Sequence, residues 1–272
     1  MLYSMCISGE RVEPDMMAKL LDTDISSSDL LYLRECAYRA ALIVTGGKAC
    51  LWGKIETCYM PYFMSTGMHR GRKTGSRAAD NMMADIIGVH KEKGVSSIVL
   101  NLYEDTDNYI LPEKIEEIKS RTDCACKVAV RAGKRYMLSD SSHMYKKTAG
   151  ECKIEFMPVI KFECRDYSNY ELAEILFTAL EKQRDTSCIV LDFTKCRNRG
   201  FFSDERIAQI TAVMRLASGG QIKNICVCPD IKKTSISGAN AAIVSVEGDT
   251  SELFDKNEHN IKTVFYKAGY NV

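Results

Sequence analysis

Ser187-Cys188-Ile189-Val190-Leu191-Asp192-Phe193, the stretch Asp204 to Ala217, and Asn224-Ile225-Cys226-Val227-Cys228 together decide the fold. The outer two are short apolar runs of strand length; the middle one repeats apolar residues at helical spacing. A strand, a helix and a second strand in that order predict a βαβ unit, whose strands must run parallel. The same alternation continues in both directions. Upstream, Ser168 and Glu171 form a capping box for a helix over 170–182, preceded by a strand over 153–159. Downstream lie an apolar strand over 241–245 and a closing helix over about 255–268. Further upstream, the spacing predicts a helix over 80–93 ended by Gly94, a strand over 97–102, a helix over 112–121 and a strand over 126–130.

The chain begins differently. Pro14 suits the first turn of a helix to about Leu21. Ser28 and Asp29 precede a second periodic run, Leu30 to Leu42, which Gly46-Gly47 stops. Ala49-Cys50-Leu51-Trp52 reads as the first strand, and a long polar loop follows from Cys58 to Ser76. About seven strands separated by helices favour a closed or nearly closed parallel barrel over a doubly wound sheet. Neither a repeat nor a low-complexity linker interrupts the chain, so residues 1–272 are expected to form a single α/β domain with a helical preface over 1–47.

Composition removes several function classes. With 37 basic against 36 acidic residues, the net charge of +1 provides no global field to draw nucleic acid or an anionic membrane. No apolar run reaches the roughly 20 residues that span a bilayer. Met1-Leu2-Tyr3-Ser4-Met5-Cys6 has neither a basic flank nor a long apolar segment, so no signal peptide is expected and a cytoplasmic location follows. Twelve cysteines in so long a chain read as reduced thiols, several of them inside apolar strands (Cys50, Cys126, Cys188, Cys226, Cys228). Two pairs, Cys124/Cys126 and Cys226/Cys228, have C-x-C spacing. On a strand, residues two apart face the same side, so each pair can present two thiolates to one ion, although neither has a C-x-x-C partner.

In parallel barrels reactive residues sit on the loops that follow the strands. The first such loop, Gly53 to Gly67, carries cysteine, several aromatic residues and a trailing Thr66-Gly67. A helical preface, a strand and this loop resemble the start of a biotin-synthase-type radical SAM protein. Met157-Pro158-Val159-Ile160-Lys161-Phe162-Glu163 occupies the place of that family's glycine-rich loop. Arg206 to Leu216 is similar to its A-x-x-R-L helix, Ser237-Gly238-Ala239-Asn240 to its late S/A-G-A-N segment, and Lys267-Ala268-Gly269-Tyr270 to its usual ending. The likeness spans most of the chain. It implies a parallel (β/α) barrel of radical SAM type, partial or shortened because the stretch between Val130 and Lys153 is too short for two strand–helix units.

The family's chemistry rests on a [4Fe–4S] cluster held by C-x-x-x-C-x-x-C, whose three thiolates leave one iron open for S-adenosylmethionine. On this loop the resemblance places those positions at Cys58, Tyr62 and Ser65. Phenol and hydroxyl oxygens are poor substitutes for soft sulfur, so one thiolate survives of three. Cys50 is a conceivable further ligand, eight residues earlier and within the expected strand. Asp140-Ser141-Ser142 resembles the family's D-T-S segment near the cofactor ribose, with the preceding helix deleted. The side chains of Pro158 to Phe162 are expected to fill space that the family gives to its cofactor. Cys228-Pro229-Asp230 stands where biotin synthases carry an arginine beside their second cluster.

Two basic segments lie outside the resemblance. His69-Arg70-Gly71-Arg72-Lys73-Thr74-Gly75-Ser76-Arg77 precedes a helix start, where Arg70, Arg72 and Lys73 can bind a phosphate or carboxylate or can simply be solvated. Lys195-Cys196-Arg197-Asn198-Arg199-Gly200 offers the same two readings. Four scattered histidines show no metal-ligand spacing, and G-x-S-x-G, G-x-G-x-x-G and kinase motifs are all missing.

Two functional expectations follow from the resemblance. One is a pseudoenzyme without cofactor, binding a small molecule or partnering an active radical SAM relative, with no part for nucleic acid or membrane. The other is an atypical radical SAM enzyme in cofactor biosynthesis, its [4Fe–4S] cluster and S-adenosylmethionine held with the help of non-motif cysteines.

Overall fold

In this computed structural model, the described residues are 12–55, 64–65, 94–101, 109–110, 120, 125–131, 155–182, 186–229, 232–245 and 261–272. Their elements, in chain order, are α1 (Pro14–Leu21), α2 (Ser28–Thr45), β1 (Cys50–Ile55), β2 (Met64–Ser65), β3 (Ser97–Asn101), β4 (Tyr109–Ile110), β5 (Ala125–Arg131), β6 (Glu155–Lys161), α3 (Asn169–Lys182), β7 (Cys188–Asp192), α4 (Thr194–Asn198), α5 (Asp204–Ala217), β8 (Asn224–Cys228), α6 (Lys232–Ser235) and β9 (Ala241–Ser245). A last helix, α7, covers residues 261–267. The expected helix over 80–93 and most of that over 112–121 lie outside the described residues.

Local chemistry explains the helix ends. Pro14 sits in the first turn of α1, where its missing N–H costs nothing. Ser27, rather than Ser28, caps α2: its Oγ accepts from Leu30 N at 3.3 Å and donates to Asp24 O at 2.7 Å. Gly46 ends α2 at φ 62°, a left-handed conformation that glycine adopts without penalty. The capping box at α3 forms as its sequence predicts. Ser168 N donates to Glu171 Oε2 at 2.8 Å, and Glu171 N donates to Ser168 Oγ at 3.2 Å.

The chain divides into two units, one of residues 1–50, 157–242 and 260–272, the other of residues 51–156 and 243–259. In the first, β6, β7, β8 and β9 are parallel neighbours in that order. β6 runs to Lys161, two residues past the expected end, because its ladder to β7 begins only at Val159. Pro158 has no N–H to contribute to that ladder.

Helix α5 is the centre of this unit. Every residue from Ile207 to Ala217 is buried, so its polar side chains must be satisfied internally. Gln209 Nε2 donates to the carbonyls of Leu20, Leu21 and Thr23 at 3.2, 3.3 and 2.9 Å, which covers the open C-terminal carbonyls of α1. Arg215, fully buried, donates from Nε to Gly238 O at 2.9 Å, from NH1 to Ile222 O at 2.6 Å and from NH2 to Asn240 Oδ1 at 2.8 Å. Asn240 also accepts from Ile225 N at 3.0 Å and donates to Lys48 O at 3.3 Å and Asn224 Oδ1 at 2.9 Å. The A-x-x-R-L helix and the S-G-A-N segment therefore meet in one hydrogen-bonded node at the N-terminal ends of β8 and β9. Gly238, at φ 101°, is required there: a Cβ would lie 2.8 Å from Arg215 Cβ and 3.2 Å from Ala37 O.

The chain ending is structural too. Tyr270 is buried, edge-on to Tyr38 at 5.9 Å and to Phe265 at 5.8 Å, and burial pushes its phenol well above the ordinary range. A Cβ on Gly269 would lie 2.9 Å from Tyr38 Oη, whose hydroxyl donates to Ala268 O.

In the second unit β1, β3 and β5 are parallel, with Lys54, Val99 and Lys127 in register across them. β1 extends to Ile55, beyond the expected Trp52, because its pairing with β3 continues through Gly53 and Lys54. Lys127 is 7% exposed, its Nζ ion-paired with Glu155 and 5.6 Å from the Trp52 ring centroid.

Candidate functional site

The strands β6 to β9 present two faces of different chemistry. In-register residues of parallel neighbours point to the same side. Ile160, Leu191 and Val227 share one face, with Ile189 and Ile225 below them. On the opposite face stand three rows: Cys188 with Asn224; Val159, Val190, Cys226 and Ala241; and Lys161, Asp192 and Cys228. A barrel interior is ordinarily filled by Val, Ile and Leu, so thiols, an amide, a lysine and a carboxylate on this face require a further reason.

The lowest row joins the Arg215 node. Asn224 Nδ2 donates to Cys188 Sγ at 3.6 Å, and Cys50 Sγ donates to Asn224 Oδ1 at 3.6 Å. Cys50 is thus held by an amide at the start of β1. Above, Cys226 and Cys228 bring their Sγ atoms to 4.0 Å. The top row lies at the C-terminal strand ends, where parallel α/β proteins place their chemistry. There Asp192 Oδ1 accepts from Thr194 N at 3.0 Å.

Just past those ends the chain is filled by rings. Phe162 and Phe193 stack at 4.1 Å with 5° between their planes; Phe202 meets them edge-on at 5.8 and 5.2 Å. Phe162 is 2% exposed. The segment that the resemblance aligns with a glycine-rich loop ends in this packed cluster, where a loop of glycines would leave room for a ligand to approach the backbone.

The basic segment after β7 is also engaged. It forms α4, with Arg197 paired to Asp204 at 2.9 and 3.4 Å. Cys196 is buried and donates from Sγ to Phe162 O at 2.8 Å. Burial first, and then a hydrogen bond with Cys164, push its thiol up to about 12, so it stays protonated at neutral pH.

Of the sequence-derived candidates, Cys58, Tyr62, Asp140, Arg70, Arg72 and Lys73 lie outside the described residues. Ser65 lies in β2, paired with Tyr109 of β4 in antiparallel register. Sequence reading missed the Lys161–Asp192–Cys228 row and the Lys127–Glu155 pair. The available signal was a charged residue at an alternate position in an otherwise apolar strand. Among the described residues no three His, Cys, Asp or Glu side chains are placed to hold one metal ion, and no helix is long and apolar enough to cross a membrane.

Comparison with solved structures places the fold. The maturase of the [FeFe]-hydrogenase HydG superposes over 99% of this chain and 74% of its own, with a TM-score of 0.64 at 12% identity. Methylornithine synthase (PylB) covers 89% of this chain and 85% of its own, with a TM-score of 0.58 at 13% identity. Both are radical SAM enzymes. At this identity the likeness establishes architecture: the chain has the partial parallel α/β barrel fold of the radical SAM type. No protein-family model matches the sequence. No curated protein matches it either.

Proposed function

We propose that this protein is a radical-SAM-type barrel without a working cluster, acting as a non-catalytic binding or partner subunit, for a small molecule or for an active relative. The observation that carries this reading is the donor set. The three positions aligned with the cluster motif are Cys58, Tyr62 and Ser65, one sulfur and two oxygens. That set does not fit a [4Fe–4S] cluster, which needs soft thiolates converging on three irons. The packed rings of Phe162, Phe193 and Phe202, beside the segment aligned with the glycine-rich loop, point the same way.

The experiment is anaerobic reconstitution of the full chain with iron and sulfide, followed by iron analysis, electron paramagnetic resonance after reduction, and assay for cleavage of S-adenosylmethionine. The expected result is neither a four-iron signal nor cleavage. A second reading, an atypical radical SAM enzyme, draws support from the thiols of Cys50, Cys188, Cys226 and Cys228 on β1, β7 and β8. A stoichiometric four-iron signal that disappears in Cys58→Ala would establish it in place of the first.

A further inference from the structure

We infer that Cys226 and Cys228 form a two-thiolate site for a soft monovalent metal ion, of which Cu(I) is the representative. This inference is independent of the proposed function, because it uses neither the first loop nor S-adenosylmethionine.

The geometry comes from the strand. Residues two apart on β8 face one side, and here both thiols turn toward each other, with Sγ atoms 4.0 Å apart. At a metal–sulfur bond length of about 2.3 Å, one ion touches both sulfurs with an S–metal–S angle of roughly 120°. A disulfide fits less well. Two strand steps place the Cα atoms about 6.6 Å apart, at the outer edge of the disulfide range. The pair is therefore better spaced for an ion between its sulfurs than for a bond between them.

The surroundings select the kind of ion. Thiolates favour soft cations, and zinc, the common alternative, takes four ligands where Cu(I) is content with two or three. Cys226 is fully buried between Val190 and Ala241 in its row, while Cys228 is half-buried at the C-terminal end of β8. An ion can thus arrive at Cys228 and be enclosed at Cys226. Binding converts two thiols and one Cu(I) into a bis-thiolate complex of charge −1 and releases two protons, with no change of oxidation state. In the Cys228 row Asp192 is the immediate neighbour and Lys161 stands one strand further, so the row carries one charge of each sign beside that complex.

The test uses the whole chain under anaerobic conditions, with one equivalent of Cu(I) and a chromophoric Cu(I) chelator as competitor. The wild type is expected to withdraw the ion from the chelator. Cys226→Ser and Cys228→Ser should each lower the apparent affinity at least tenfold, and Cys36→Ser, on α2, should leave it unchanged. Retention of wild-type affinity in both β8 variants overturns the site. Should those variants fail to fold, the wild type decides the matter by alkylation rates. One equivalent of Cu(I) should slow modification of Cys228 at least tenfold. An unchanged rate at Cys228, with copper bound elsewhere, refutes the assignment.

Discussion

The two ends of β7 and β8 differ in the chemistry that surrounds them. At the N-terminal ends Arg215, Asn240 and Gly238 each have a mechanical task. Arg215 donates to backbone carbonyls, Asn240 joins β8, β9 and the Lys48 carbonyl before β1, and Gly238 makes room for α2 against α5. At the C-terminal ends the aligned loop carries no glycines and ends in stacked rings. The N-terminal ends are thus held by a polar network and the C-terminal ends by packed aromatic rings. This contrast accords with the rule that the bottom of such barrels serves stability and the top serves chemistry.

The sharpest way to break the contrast is at Arg215. Arg215→Met leaves the carbonyls of Gly238 and Ile222 without the guanidinium, while Asn240 Oδ1 keeps only the Ile225 N–H. A loss of roughly 4–5 kcal/mol in urea unfolding is expected, near the ceiling for one substitution. A loss below about 1 kcal/mol would mean that the node is ornamental to the fold. Next comes Phe162→Ala, for which removal of a 2% exposed ring from the cluster is expected to cost about 3 kcal/mol. If Phe162 instead lined an open ligand cleft, its removal would be nearly neutral in the same measurement.

The smallest effect sharpens the comparison from outside both ends. Hydrogen bonds from the Ser168 backbone N–H, then from Arg165 and the Ser168 hydroxyl, hold the exposed Glu171 carboxyl below the usual range. Its folded value is depressed, so its contribution is present above about pH 4.3 and is lost as pH falls through the lowered value. Thermal melts from pH 7 down to pH 3 should show that decline, and Glu171→Gln should flatten it by an amount smaller than either core effect.

Much of the fold was legible because its signals are local. The ranges of α1, α5, β8 and β9 follow from apolar periodicity, Pro14 and flanking glycines, and the α3 capping box from a single Ser-x-x-Glu. Legibility failed where local chemistry was degenerate. Ser28 and Asp29 mark the start of α2 in the sequence, whereas the cap is Ser27, whose hydroxyl also bonds Asp24 O. The site was less legible still. That Cys226 and Cys228 share a face follows from the period of a strand, yet the link from Cys50 and Cys188 to Asn224 joins segments far apart in sequence. Such links depend on the register of parallel strands, which no stretch of ten residues encodes.

The tie between Tyr38 and Ala268 spans 230 residues. On a ribosome adding about 5–20 residues per second, α2 emerges roughly 10–50 seconds before its last partner. Until α5 has followed, its apolar stripe of Leu30, Leu33, Ala37 and Ala41, buried in the finished protein, has no native surface to cover it. Truncation just before Phe265, which removes Ala268 and Tyr270 from their contacts with Tyr38, is expected to lower the yield of folded protein in circular dichroism melts.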